Sequence, residues 1–162
     1  MQATMRVLLA LLAATFPHGA ISAESETPAQ LRGIEAVYVE AVVSSDTGLD
    51  PSSFTTAVEV RLRRAGVPVV REPAPSTPKL HFGLFAYKVS DPGVVGTFFT
   101  AHLALRESVT ISRSGAAIEA PTWESPLWIG VRPVADLSLK EIAEDLADRF
   151  AADFLAAKAS TR

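Results

Sequence analysis

Read for the spacing of its apolar residues, the chain divides into stretches of two rhythms. The run IEAVYVEAVV, Ile34 to Val43, is rich in β-branched residues and apolar on both alternating phases apart from Glu35 and Glu40, which is the pattern of an interior strand. After the loop SSDTGLDP the period changes to that of a helix. Phe54, Ala57, Val58, Leu62 and Ala65 fall on one face of a segment spanning 51–65. Its start has the expected chemistry: Asp50 as N-cap, Pro51 at the first helical position, and Leu49 placed to staple against Phe54. Gly66 stops it.

A short apolar run, VPVV, predicts a minor strand, and REPAPSTP is too rich in proline for regular structure. LHFGLFAYKV, Leu80 to Val89, again reads as a strand apolar on both faces. The turn SDPGVVG follows. From Thr97 the chain alternates cleanly, with Phe99, Ala101, Leu103, Leu105, Val109 and Ile111 in one phase and Thr100, His102, Arg106, Ser108 and Thr110 in the other. That strand has one buried and one wetter face. SRSG turns it into a returning strand, AAIEAPTWESPLWIGV, whose Pro121 and Pro126 remove ladder donors and mark a sheet edge. The chain closes on a helix over 139–158, with a Ser138/Glu141 capping box and an apolar stripe of Leu139, Ile142, Ala143, Leu146, Ala147, Phe150 and Phe154.

The predicted fold is therefore α+β, in the order β-α-β-β-β-β-α. A four- to five-stranded, antiparallel-dominated sheet has two helices packed on one face, since that arrangement covers every apolar stripe.

The N-terminus changes the picture of where this domain works. MQATMR precedes the apolar run Val7 to Phe16, and a small-residue stretch ends at Ala23, the order of regions in a signal peptide. This ten-residue run falls short of the roughly 20 apolar residues that a bilayer crossing needs. The expectation is cleavage after Ala23, a polar lead-in over 24–30, one domain over 31–158 and a tail over 159–162. The protein is then periplasmic or secreted, with no stable membrane anchor once the signal is removed. The absence of asparagine and the excess of arginine over lysine fit a GC-rich bacterial genome.

Composition mainly excludes. The chain has no cysteine, which removes disulfides, thiolate metal sites, a cysteine nucleophile and an acylated N-terminus. Its net charge of −3 argues against a general affinity for nucleic acid. There is no HExxH, calcium loop, P-loop, GxGxxG or GxSxG, so neither a metal nor a cofactor is expected.

The remaining candidates are single side chains. Glu107 sits in the apolar phase between Leu105 and Val109: a buried acid with a raised pKa, or a carboxylate reaching water at a strand end. His81 and His102 are both in strand interiors, where a dispersed acid/histidine site would need them to converge with Glu107. If Ser114 and Gly115 form a two-residue loop, Ala101 faces Trp128 and Arg106 faces Trp123. A four-residue loop keeps the same faces, and a three-residue loop swaps them. Trp128 then joins the core, while Trp123, Arg106, His102 and Thr100 share the outer face. That group is either a binding patch or a cross-strand pairing that stiffens a solvated sheet. The Arg61, Arg63 and Arg64 cluster reads as cations opposing the dipole of a last helical turn.

The segments LRGIEAVYVEAV, VEVRLRRAGVPV and DLADRFAADFLAA resemble those of small exported bacterial α+β proteins. The order of elements is similar to that of periplasmic lipopolysaccharide-assembly-type lipoproteins, in which two helices pack on a sheet. Those proteins are acylated at a cysteine that this chain lacks. The expected function is a non-enzymatic binding or accessory module that meets an envelope protein or ligand through an open sheet face or edge. The alternative is a small envelope-acting hydrolase using Glu107, His102 or His81.

Overall fold

The computed structural model describes residues 29–45, 48–91, 94–132 and 139–160. The predicted signal segment, most of the lead-in, the turn at Pro92 and Gly93, the capping residue Ser138 and the end of the tail lie outside them. A 3-10 turn, Ala29–Leu31, opens the described chain, one turn earlier than expected.

Six strands form one sheet: β1 Val37–Ser45, β2 Val69–Val70, β3 Lys79–Asp91, β4 Val94–Thr110, β5 Ala117–Glu124 and β6 Trp128–Arg132. The order is β2-β1-β3-β4-β5, with β6 following β5 along the same edge of β4. The sheet is mixed. β1 runs parallel to both β2 and β3, whereas β4 is antiparallel to β3, β5 and β6. The parallel pairs follow from α1, Pro51–Arg64, which returns the chain to the end of the sheet where β1 began. Its start is as read from sequence: Pro51 is at the first position and the Asp50 carboxylate accepts the Ser52 N–H at 3.0 Å.

Both helices lie on one face. α1 buries Phe54, Val58 and Leu62 there, and α2, Leu139–Ala159, buries the whole predicted stripe. They meet Val37, Val39, Leu80, Phe82, Leu84, Phe99, Ala101, Leu103 and Leu105 in a single core. The helices are tied at their surface by Arg61, whose guanidinium donates twice to Asp148 at 2.6 Å. That carboxylate holds the Arg61 pKa above its ordinary value. Arg63 pairs with Glu59 one turn back. Two members of the arginine cluster are thus satisfied within the helical layer.

The returning strand departs from the two-residue hairpin. Ile111 N–H donates to Ala116 at 2.8 Å, closing a four-residue loop over Ser112 to Gly115, in which Gly115 adopts φ +68°. Arg106 is therefore opposite Pro121. The register then slips: Leu105 faces Trp123, so β5 has one more residue than β4 between these pairs. This bulge places Thr122 and Trp123 on the same side of the sheet, because an inserted residue interrupts the alternation of the pleat. A second slip follows at Pro126, which cannot donate. Ser125 bridges the gap, its N–H donating to Leu103 O and its hydroxyl accepting from Leu103 N–H. β6 then begins with Trp128 opposite Ala101, as expected from the simple hairpin.

The expectation that Trp123 faces outward beside Arg106 is therefore overturned by the bulge. Trp123 is 6% exposed, packs edge-on against Phe150 at 5.1 Å and donates its indole N–H to Asp153 of α2 at 2.9 Å. Trp128 packs partly buried against the same core. Both tryptophans thus belong to the helix-covered face.

Replacing Trp123 by Ala removes this packing together with the partner of Asp153. The unfolding free energy in urea should fall by about 3–5 kcal/mol. A loss below about 1 kcal/mol would mean that the indole is not in the core.

Candidate functional site

Among the described residues no helix lies on the opposite face of the sheet, and strand pairing arranges its side chains in rows. Tyr38, Lys79, Arg106 and Pro121 form the first row. Glu40, His81, Ala104 and Glu124 form the second, and Val42, Gly83 and His102 the third. Ser44, Phe85, Thr100 and Ile129 make the fourth, followed by Tyr87, Phe98 and Val131. Charge and apolar character are segregated along the strands.

At the first end, Glu119 accepts from Lys79 at 3.1 Å and from Arg106 at 3.5 Å. The hydrogen bond from Lys79 is the largest of the influences that lower the Glu119 pKa. These groups are well exposed, so the pairs order the surface more than they stabilise the fold. In the middle, His81 and His102 lie diagonally across β3 and β4 with ring centroids 6.1 Å apart. His81 Nδ1 is 3.8 Å from Glu40. The His102 ring rests on Gly83, where any Cβ would collide with it. Burial, then the charge of His81, lowers the His102 pKa from its ordinary 6.5; Glu124 opposes this and Arg106 adds to it.

The far end is apolar and open. Val42, Phe85, Tyr87, Ile129 and Val131 are exposed there, Ile129 at 63% and Val131 at 55%, and Leu127 projects from the connection between β5 and β6. Half-buried Phe98 lies between Tyr87 and Val131. Among the described residues, rows three to five contain no Asp, Glu, Lys or Arg.

Of the residues singled out from sequence, Arg106, His102 and Thr100 share this open face as expected, and Trp123 does not. Glu107 lies on the other face, in the phase of Leu105, half-buried beyond the helices. It accepts the Thr122 hydroxyl at 2.5 Å and borders a shallow cleft of about 380 Å³ with Arg32, Glu35 and Thr77. His81 and His102 are thus brought together, and Glu107 is separated from them by the thickness of the sheet. Among the described residues, no three His, Asp or Glu side chains gather closely enough to hold a metal ion, and no helix is long and apolar enough to cross a membrane.

The apolar end of the open face was missed in the sequence. Its signal was present in Phe85 and Tyr87, which continue the phase of His81, and in Ile129 and Val131, which alternate with Trp128 and Gly130. A strand apolar in both phases predicts an interior position in the sheet and does not by itself single out a face left open.

Comparison with known proteins leaves the description of this chain to its own sequence and structure. No family model and no curated protein matches the chain. Among solved structures it is similar to a PelC dodecamer from Paraburkholderia phytofirmans, with 14% identity and a TM-score of 0.35, over 74% of this chain and 86% of that one. It is also similar to a minor lipoprotein from Acinetobacter baumannii, with 14% identity and a TM-score of 0.31, over 76% of this chain and 89% of that one. At that level of similarity neither brings a function to this chain.

Because the folded His102 pKa lies below the unfolded value, the unfolded chain binds more protons in that interval. Stability contributed by neutral His102 should be present above the unfolded value near 6.5 and be lost as pH falls from there towards the folded pKa. NMR titration should find the His102 midpoint below 6.5, and Gly83→Ala, by expelling the ring from its seat, should raise it. A midpoint unchanged in Gly83→Ala would show that the seat on Gly83 does not bury the imidazole.

Proposed function

We propose that this chain is an exported, non-enzymatic binding or accessory module that contacts a protein partner in the cell envelope through the open face of its sheet. The observation that carries this reading is the stretch of that face around Phe85, Tyr87, Ile129 and Val131, which stand exposed and, among the described residues of rows three to five, have no fixed charge beside them. Contiguous apolar surface of more than a few hundred Å² is uncommon on a protein that works alone, and it marks interaction sites. The arrangement follows the anatomy of an interface, with an apolar centre depleted of charge beside a polar rim. Here the rim is Lys79, Arg106 and Glu119. The signal-like order of Met1 to Ala23 supports export, and the lack of cysteine leaves stability outside the cytoplasm to packing alone. Separation of Glu107 from the two histidines weighs against a dispersed hydrolytic site.

The test is co-purification from the envelope fraction of the host, comparing the natural chain with Ile129→Glu/Val131→Glu. Both positions are exposed, so circular dichroism should be unchanged while bound partners are lost. Retention of every partner by the double variant would exclude the open face, and finding the protein in the cytoplasm would exclude export.

A further inference from the structure

The middle of the open face carries a ring seated on a glycine. Gly83 stands in the interior of β3, directly opposite His102 of β4, and a Cβ there would collide with Cε1, Nδ1 and Nε2 of the imidazole. Glycine in a strand interior weakens the strand and marks a close approach, here that of the ring. The same sheet uses the device once more on the helix-covered side, where the Phe99 ring fills the place of a side chain at Gly130. Phe99 cannot take up a proton. His102 can, within the physiological range.

We propose that His102 is a proton-operated switch at the middle of the open face: neutral, its ring lies on Gly83 beside His81; protonated, it swings across β4 to the Glu124 carboxylate. The charged groups around the ring are arranged for that movement. On the β3 side the seat adjoins His81, whose ring centroid is 6.1 Å away, with Lys79 one row further. The β1 carboxylate of Glu40 lies beyond His81, 3.8 Å from its Nδ1. Arg106 adds a second positive charge on the same strand as His102, and β6 brings only Ile129 and Val131 to this face. On the β5 side Glu124 pairs with Ala104, one diagonal step from His102 and within reach of an aromatic side chain. Burial in the seat, then the charge of His81, opposes protonation, Arg106 adds to this and Glu124 favours it. Among the described residues no hydrogen bond holds either ring nitrogen on Gly83, so nothing in the seat compensates a charge. The neutral ring thus continues the uncharged rows of Phe85 and Tyr87, whereas acid replaces it by bare Gly83 backbone and a His102–Glu124 ion pair. As regulation this rests on the reading that the open face is a contact surface; as a switch it does not.

NMR of the natural chain tests the switch without relying on any variant. The NOE from His102 Hε1 to the Gly83 Hα protons should be strong at about pH 8 and fall about fivefold by about pH 5, with the midpoint of the ring's own titration. In Glu124→Gln that midpoint should move down, and in His102→Phe the ring should stay on Gly83 at both pH values. An NOE that persists through protonation, or a midpoint indifferent to Glu124→Gln, overturns the switch. Co-purification from the envelope at about pH 7.5 and about pH 5.5 tests the regulatory role: recovery of partners should change with pH for the natural chain and not for His102→Phe. Equal recovery by the natural chain at both values overturns that role and leaves the contact surface standing, while recovery of no partner at either value removes the two together.

Discussion

A six-stranded sheet has two faces, and the described residues supply helices for one. That constraint governs the molecule. α1 and α2 meet the even-numbered side chains of β3 and the odd-numbered ones of β4, joining Phe54, Leu62, Leu146, Phe150 and Phe154 to Leu80, Phe82, Leu84, Leu103 and Leu105 in one core. Among the described residues no helix covers the opposite phase of the same strands. A strand that is apolar in both phases cannot satisfy both of them with helices on one side, so Phe85 and Tyr87 remain outside while their neighbours Leu84 and Ala86 are fully buried.

The edge formed by β5 and β6 shows how local chemistry serves that layering. Without the bulge opposite Leu105 and Arg106, alternation would put the Trp123 indole on the open face and leave Asp153 without its donor. The inserted residue turns the indole inward, where it covers the end of α2 and contacts Phe150. The interruption at Pro126 then restores the parity that carries Trp128 inward as well. Two slips add up to the pairing of Ala101 with Trp128 that a simple two-residue hairpin would have given. Gly130 completes the edge, since a side chain there would collide with the Phe99 ring.

Much of this was legible in the sequence because it depends on local patterns. The α2 stripe, the Asp50–Pro51 start, the placement of two helices on one face and the edge position of the proline-bearing strand follow from periodicity and from residues with few conformational options. The face of Trp123 was not legible, because a bulge is a compromise between two strands and β5 carries no glycine to announce it. The parallel placement of β1 beside β3 was hidden too, since local sequence does not specify which strands become neighbours. The apolar end of the open face was hidden for the opposite reason: Val42, Phe85 and Tyr87 look like core residues, and only counting the available helices shows that nothing in the described chain covers them.

What covers that face in the cell can be asked directly, because the natural chain has no cysteine to interfere. Place a single cysteine at Ile129, or at Ser114 in the exposed hairpin loop as a control, and compare maleimide labelling in the intact envelope with labelling of the diluted, purified protein. The account predicts that Ile129→Cys is protected in the envelope and labelled after purification at high dilution, while Ser114→Cys is labelled in both. Equal and rapid labelling of Ile129→Cys in the intact envelope would contradict it, since an open sheet face that stays open is not a contact surface.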